Sequence, residues 1–384
     1  MRWYRSCVSS VIFIFFREFN MQFKLAAIAV AAFAAAAPAT AGQSIVSSFL
    51  SGSTVERAIL AGDGDQFANY DPLNRVDQNV LTSPFSGVVS INIRFDIGTS
   101  QEAGYICSGA LLDSYHVLTA AHCIDANDKG TPITLNASND VRVVFNHQDP
   151  GKIISASKAT MHSDYNGFNK CADGSSGCVN DDLAIIRLSQ AAPTGAARYG
   201  IWNNELTENQ PIIMAGYGTS GTGLLGHLPG TADFFVKKTA ENSLDAFDRD
   251  DEQGFAGGPK EVWYADFDGV DFRGQPQDSF CQIGLYCSDY RGLNTEGNIG
   301  PGDSGGPSFV VDNGMLFLAG NNTFGGNWPD QVSGTYGTYF GGMALAGYSD
   351  WISEVTAVPE PQTYALMLTG LLAVGALARR RNQR

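Results

Sequence analysis

The chain has 384 residues, of which 44% are hydrophobic and 16% charged, and its formal net charge is −15. This composition is typical of one large or two smaller folded domains and excludes a disordered chain. The acidic balance excludes nucleic acid as an expected partner, because phosphate binding needs a basic surface, and we interpret the excess of acidic side chains as an aid to solubility.

Residues 1–41 have the composition of a targeting segment. A charged start at 21–24 is followed by an Ala-rich apolar stretch over 25–37, and Ala39-Thr40-Ala41 resembles a signal-peptidase site. The sequence therefore predicts a signal peptide over 1–41 that signal peptidase removes during export. Either Met21 is the true start or the leader is unusually long.

Residues 42–80 contain no catalytic motif. Asp63, Asp65 and Asn69 mark this segment as polar and loop-rich. We interpret it as an N-terminal extension and a candidate propeptide, with the Arg75–Val76 bond as a candidate processing point.

The first half of the remaining chain is predicted to be built from short strands. Ile91, Ile93, Phe95 and Ile97 alternate with polar residues, which is the period of a half-buried strand. Further strands are predicted over 107–112, 116–121, 141–145 and 183–188.

The second half continues the β pattern and ends in a helix. A Gly- and Thr-rich loop is predicted over 219–230 and a polar insertion over 248–259. Trp351, Ile352 and Val355 have helical spacing. The acidic run Asp266, Asp268 and Asp271 is either a calcium site or the solvated edge of a strand.

The cysteines indicate an oxidising compartment. There are seven, and Cys7 lies in the leader, so that six remain as three pairs close in sequence. An even count in an exported chain predicts disulfides. Because no four-ligand cluster with zinc spacing occurs, no zinc site and no cofactor are expected. The predicted disulfides are Cys107–Cys123, Cys171–Cys178 and Cys281–Cys287.

The stretch 300–307, Gly-Pro-Gly-Asp-Ser-Gly-Gly-Pro, carries the strongest chemical signal. Glycine allows backbone angles that a Cβ forbids, so the chain can fold tightly around Ser304. The N–H groups of Gly302 and Ser304 could then point the same way and bind a developing oxyanion. The alternative is a plain surface turn, since a serine needs a base to act as a nucleophile.

Two upstream motifs supply the missing groups. Thr119-Ala120-Ala121-His122-Cys123 follows an apolar run, and Asp182 directly precedes a predicted buried strand. In the order His, Asp, Ser, these motifs resemble the trypsin-like (chymotrypsin-fold) serine peptidases over roughly residues 84–355. The resemblance implies that His122 is the general base, that Asp182 orients it and that Ser304 is the nucleophile.

The resemblance also implies a fold. It is all-β, with two packed six-stranded antiparallel β-barrels and a C-terminal helix in a peptidase domain over 81–357. The first barrel is expected at about 81–200, the second at about 201–346 and the helix at 347–357. The predicted Cys107–Cys123 pair matches the histidine-loop disulfide of the family.

The resemblance assigns further residues to activation and substrate binding. In the family a freed apolar N-terminus pairs with the Asp before the nucleophile, here Asp303, but the sequence after Arg75 matches the family start poorly. The pocket floor falls on Asn298, or on Glu296 after a two-residue slip, because Gly300 replaces the usual cysteine. With Asn298 at the floor, cleavage after uncharged, medium or large residues is expected. The walls are assigned to Thr323, Phe324, Gly325 and Gly337. The stretch 321–325 also resembles the strand that pairs with substrate backbone in the family.

Residues 358–384 form a separate tail. Pro359-Glu360-Pro361 precedes an apolar run over 364–378 and three arginines at 379–381. This resembles a PEP-CTERM sorting signal of Gram-negative bacteria, which implies transient membrane anchoring and removal by an exosortase-type enzyme. The alternative is an ordinary transmembrane anchor with its arginines on the cytoplasmic side.

The sequence therefore predicts a secreted serine endopeptidase that acts on a protein or peptide substrate through an acyl-enzyme. Its expected location is the cell envelope or extracellular matrix of a Gram-negative bacterium. One alternative is a catalytically silent pseudoprotease that serves as an extracellular binding module, and another is cleavage of esters rather than peptides.

Overall fold

The computed structural model describes residues 54–57, 59–62, 76–77, 80, 82–146, 152–171, 175–271, 273–292 and 295–357. All of them lie in one unit, Ser44–Arg384. The predicted signal peptide, Cys7, Arg75 and the predicted sorting tail lie outside these residues. Within the described ranges, no helix is both long and apolar enough to cross a membrane.

Two short N-terminal strands, β1 (Thr54–Arg57) and β2 (Ile59–Gly62), precede a closed six-stranded barrel. The barrel is antiparallel throughout and runs in the spatial order β3-β4-β5-β8-β7-β6. Its strands are β3 (Val88–Phe95), β4 (Ala103–Leu111), β5 (His116–Thr119), β6 (Asp140–Phe145), β7 (Lys152–Met161) and β8 (Ala184–Leu188).

The alternating pattern of β3 has its expected effect. Ile91 and Ile93 are fully buried in the barrel core with Val143 of β6. The strand ends at Phe95, two residues before the predicted Ile97, because Asp96 turns the chain with a left-handed φ of 52°. Such a residue cannot continue a strand.

The second half contains the remaining strands, β9 (Pro211–Gly216), β10 (Ser220–Thr222), β11 (Gly226–Leu228), β12 (Lys238–Ser243), β13 (Ala246–Arg249), β14 (Lys260–Asp266), β15 (Gly269–Val270), β16 (Pro276–Gln277), β17 (Gly297–Gly300), β18 (Pro307–Asp312), β19 (Met315–Asn321), β20 (Phe324–Asn327) and β21 (Tyr339–Met343). The described residues contain the α-helices α1 (Ser279–Gln282) and α2 (Ser349–Thr356), and 3-10 turns at Ala121–Cys123 and Leu345–Tyr348.

Two larger sheets form the second half. One has the order β12-β9-β18-β19, and the other has the order β1-β20-β21-β14-β13. Hydrogen bonding among the described residues does not close these sheets into a ring, so the second six-stranded barrel stays a prediction. The predicted loop over 219–230 was wrong in part, because β10 and β11 pair there as a hairpin.

One apolar core joins the two halves. Leu118 and Ile185 of the barrel lie in the same buried cluster as Tyr217, Phe309 and Leu318 of the second half. Ile352 of α2 is buried against this cluster, as its helical spacing requires. The shared core holds the ends of strands from both halves next to each other, which positions the candidate site.

All three predicted disulfides are confirmed. Cys107 in β4 is bonded to Cys123 in the 3-10 turn, and the other bonds join Cys171 to Cys178 and Cys281 to Cys287.

The acidic run at 266–271 is not a solvated strand edge. Asp266 is 1% exposed and Asp268 is 5% exposed. One oxygen of Asp266 accepts hydrogen bonds from Ser279 and from the N–H of Phe280. Asp271 accepts from N–H groups of its own turn.

Candidate active site

His122 and Asp182 form a buried pair at the edge of the first barrel. Asp182 Oδ2 lies 2.6 Å from His122 Nδ1, and Oδ1 accepts a hydrogen bond of 2.7 Å from the backbone N–H of His122. The exposed fraction is 2% for His122 and zero for Asp182. Because both carboxylate oxygens bind the same residue, the imidazole has one orientation and its Nε2 is left for chemistry.

The surrounding chain explains why this pair is well held. His122 lies in a 3-10 turn whose Cys123 is bonded to β4, and the ring of Phe168 packs edge-on against the imidazole at 5.1 Å. Asp182 follows a left-handed residue, Asp181, with φ 53°. The side chain of Asn321 donates to the Asp182 carbonyl at 3.1 Å, so β19 of the second half also fixes the acid.

Ser304 lies in a tight turn between β17 and β18. The Asp303 N–H donates to Gly300 O at 2.8 Å, and the Gly306 N–H donates to Asp303 O at 2.8 Å. Gly302 has φ 103°, and a Cβ there would come within 2.8 Å of Ile106 Cγ2 and 2.9 Å of Gly218 Cα. The turn therefore needs glycine at this position both for its angle and for its close approach.

Ser108 of β4 contacts the turn from the first barrel. Its N–H donates to Ser304 O at 2.8 Å, and its hydroxyl donates to Gly302 O at 2.8 Å. Ser108 thus binds the carbonyl oxygens of both Gly302 and Ser304. The N–H groups of these two residues donate to no acceptor among the described residues. These are the two donors that the sequence assigns to an oxyanion.

Ser304 and His122 are neighbours without a direct bond. Cys123 Sγ lies 3.9 Å from His122 Nε2 and 3.7 Å from Ser304 O. Within the described part of the chain, no hydrogen bond joins Ser304 Oγ to His122 Nε2. Such contacts are often long in a ligand-free site and tighten when substrate binds.

The carboxyl group of Asp303 is buried and helps to hold the Ser304 turn in place. Asp303 is fully buried, and its two oxygens accept hydrogen bonds from Gly218 N at 2.7 Å and Gly300 N at 3.0 Å. The ammonium of Lys238, itself 3% exposed, donates to Gly218 O at 2.6 Å. Burial raises the pKa of Asp303 to about 7, against the lowering effect of the Lys238 charge.

The two candidates for the pocket floor are both buried, but their contacts differ. Asn298 donates from Nδ2 to Thr338 Oγ1 at 2.7 Å, next to the predicted wall residue Gly337. Both oxygens of Glu296 are occupied, by the N–H of Asp268 at 2.8 Å and that of Arg291 at 2.6 Å. Burial raises the pKa of Glu296 to about 8, which disfavours a charged carboxylate there.

The predicted wall residues fall on or beside β20 and β21. Gly325 has room for a small side chain, since a Cβ there would make only ordinary van der Waals contacts, with Ile299 O at 3.9 Å and Tyr339 O at 4.0 Å. Thr323 and Phe324 are buried, and the Phe324 ring packs against Tyr264, so this ring is part of the core rather than of an open pocket wall. Gly337 adopts φ 81° just before β21.

The two N-terminal strands pair with the strands that carry predicted wall and floor residues, β20 and β17. β1 pairs antiparallel with β20, with Glu56 opposite Gly325. β2 pairs antiparallel with β17, with Ala61 opposite Asn298 and Ile59 opposite Gly300. The backbone edge that the sequence assigns to substrate is therefore occupied by the chain itself.

Val76, after the candidate processing bond, is placed elsewhere. It forms an isolated bridge with Lys238, and the N–H of Asp77 donates to Lys237 O at 2.9 Å. The Asp77 carboxylate also pairs with the buried Lys237 ammonium at 2.9 Å.

Ser108, Lys238 and Asn321 were not predicted as site residues. Ser108 follows Cys107 directly, so its position beside the histidine-loop cysteine was an available signal. No local sequence signal identified Lys238 and Asn321, because their contacts with the site arise from pairing between strands that are far apart in sequence.

Comparisons with known proteins agree with this geometry. The trypsin family model matches residues 78–259, a range that contains His122 and Asp182 and ends before Ser304. Venom serine protease Bi-VSP of Bombus ignitus is 27% identical over 155 residues, covering 38% of this chain and 38% of that protein. Chymotrypsin-like elastase family member 1 of Bos taurus is 25% identical over 152 residues, covering 38% of this chain and 52% of that protein.

A third relative, brachyurin of Leptuca pugilator, is 26% identical over 124 residues, covering 32% of this chain and 49% of that protein. The chain thus spans between about two fifths and half of the length of these relatives. Together, the family match and the relatives support a chymotrypsin-fold domain of the serine-type hydrolases.

Proposed function

We propose that this protein is a secreted serine endopeptidase that hydrolyses peptide bonds through an acyl-enzyme. The observation that carries the proposal is the buried His122–Asp182 pair, placed next to a glycine-rich Ser304 turn with two unengaged N–H groups. The three disulfides are in accord with export to an oxidising compartment. Sorting through residues 358–384, and a Gram-negative envelope, stay predictions from the sequence.

The residues have complementary roles in the proposed reaction. His122 Nε2 takes the proton of Ser304 Oγ as that oxygen attacks the substrate carbonyl, and Asp182 stabilises the resulting imidazolium. The N–H groups of Gly302 and Ser304 bind the oxyanion. His122 then gives the proton to the leaving amine, and water releases the acyl group by the same steps in reverse.

A fluorophosphonate probe tests this proposal, because it forms a covalent bond only with an activated serine oxygen. We expect labelling of the native chain and none of Ser304→Ala. The control Ser353→Ala changes an exposed hydroxyl on α2 and should label like the native chain.

Folded native protein that takes up no probe would overturn the peptidase proposal. The alternative would then be the pseudoprotease that acts as a binding module. The observation in its favour is that no hydrogen bond joins Ser304 Oγ to His122 Nε2 in the described part of the chain.

Residues 42–80 are proposed to act as a propeptide. β1 lies on the exact edge of β20 that the resemblance assigns to substrate backbone, so substrate and β1 compete for the same hydrogen bonds. Residues 42–53 and most of 63–80 lie outside the described residues, and the proposal rests on β1 alone.

Weakening the pairing of β1 with β20 should therefore increase the apparent affinity for substrate. Proline cannot donate to a strand ladder, so Glu56→Pro is expected to lower KM for a peptide substrate several-fold with kcat little changed. Glu56→Ala keeps the backbone N–H and should leave KM as it is. An equal KM in all three proteins would contradict the role of β1.

A further inference from the structure

Five carboxylates from separate stretches of the chain meet beside the candidate catalytic acid. They are Asp181, the consecutive residues Asp250, Asp251 and Glu252 after β13, and Glu261 of β14, and we call them the acidic cluster. Carboxylate oxygens of Asp181, Asp251 and Glu252 lie within 4.8 Å of one another, and so do those of Asp250, Glu252 and Glu261. Two ligands of one Ca²⁺, each at about 2.3–2.6 Å, are at most about 5 Å apart.

Two of these oxygens, Asp251 Oδ1 and Glu261 Oε2, are shielded from solvent and have no partner at ordinary hydrogen-bond geometry among the described residues. Their residues are only 9% and 7% exposed. The side chain of Asn180 lies near Asp251, and its Nδ2 is likewise unpaired at that geometry. A buried carboxylate oxygen without a partner is costly, which indicates that a ligand completes its environment.

The charge of the acidic cluster is also uncompensated. Among the described residues, no lysine or arginine forms an ion pair with any member. The one basic contact is His162, whose Nδ1 lies 3.1 Å from Asp181 Oδ1.

Arg249 precedes the acidic cluster in the chain but points elsewhere. Its guanidinium donates to Gly258 O at 2.7 Å and lies 3.6 Å from Glu205. Asp250 is likewise engaged, since its oxygens accept from the N–H of Gln253 at 2.8 Å and from its side-chain amide at 2.6 Å. Asp250 therefore shapes the turn.

We propose that the acidic cluster binds one Ca²⁺ ion through Asp181, Asp251 and Glu252, with Glu261 beside Glu252 at the edge of the site. Several carboxylates with irregular spacing suit Ca²⁺, which accepts six to eight oxygens in flexible geometry, better than Mg²⁺, which demands a near-ideal octahedron. This site differs from the calcium candidate in the sequence at Asp266, Asp268 and Asp271.

The ion would tie the polar insertion at 248–259 to the residue just before Asp182. Asp181 has a left-handed φ of 53° and its carbonyl accepts from Leu183 N at 2.6 Å, so its position sets how the chain enters β8. Bound Ca²⁺ therefore acts as a positioning element for the candidate catalytic acid.

Calcium binding can be measured in Ser304→Ala protein, which keeps the test independent of the proposed peptidase activity and of self-digestion. After removal of metal with a chelator, Ca²⁺ at about 100 times Kd is expected to raise Tm by roughly 5–10 °C. Tb³⁺ should give sensitised luminescence, because the Trp351 ring lies 5.1 Å from that of His162, next to Asp181.

Two variants locate the site. Asp251→Asn and Glu252→Gln should each weaken Ca²⁺ binding tenfold or more, and Glu252 is exposed, so its variant keeps the fold. The control Asp312→Asn removes an exposed carboxylate from β18 and should bind Ca²⁺ like the parent. No shift in Tm with Ca²⁺, or an equal shift in Glu252→Gln, would overturn the proposal.

Discussion

Replacing Asp182 by asparagine is expected to lower kcat about 10⁴-fold. The carboxylate lies 2.6 Å from His122 Nδ1 and favours the tautomer with its proton there, which in the proposed mechanism leaves Nε2 as the base for Ser304. An amide at this position favours the other tautomer and cannot stabilise an imidazolium. The 2.7 Å contact with the backbone N–H of His122 needs only an oxygen, so the fold should survive. Steady-state hydrolysis of a peptide substrate gives the ratio.

The chain contains a matched control in a second His–Asp pair. Asp113 Oδ2 lies 2.8 Å from His116 Nδ1, and its Oδ1 accepts from the N–H groups of Tyr115 and His116. Asp113→Asn should leave kcat within a factor of two. If Asp182→Asn and Asp113→Asn had equal effects, the assignment of Asp182 would be wrong.

Replacing Asn298, the predicted pocket floor, by aspartate should redirect the proposed peptidase to substrates with Arg or Lys before the cut. The native side chain is buried and neutral, and a buried cation without a counter-charge is costly. A carboxylate at the floor supplies that charge, which we expect to raise kcat/KM for cationic substrates about 10²–10³-fold relative to neutral ones. A peptide library read for both proteins measures the change.

The competing candidate for the floor has its own variant. Both oxygens of Glu296 accept backbone hydrogen bonds, so Glu296→Gln should leave the native preference for uncharged residues unaltered. A native preference for Arg or Lys that disappears in Glu296→Gln would move the floor to Glu296.

The structural features that were predicted well depend on short local patterns in the sequence. The alternation Ile91, Ile93 identified a strand because its period is a property of neighbouring residues. The disulfides followed from cysteines close in sequence, and the Ser304 turn from consecutive glycines. The candidate site residues His122 and Asp182 lie beside each other as the family resemblance implied.

The structural features that the sequence analysis did not predict depend on contacts with residues far away in the sequence. β7 was not predicted, because its residues 152–161 are mostly polar or half-exposed and only its pairing with β6 and β8 makes it a strand. The hairpin of β10 and β11 was hidden in a run of Gly and Thr. The roles of Lys238 and the acidic cluster required contacts between segments that no local period reveals.

Ser108 links the two halves of the molecule through hydrogen bonds, which affects how they unfold. Besides its two contacts with the Ser304 turn, its hydroxyl accepts a hydrogen bond of 3.0 Å from the N–H of Tyr217 in the second half. One residue of β4 thus belongs to the hydrogen-bond networks of both halves. If either half unfolds locally, the other loses these bonds at the same moment, so the candidate active site and the boundary between the halves form one cooperative unit.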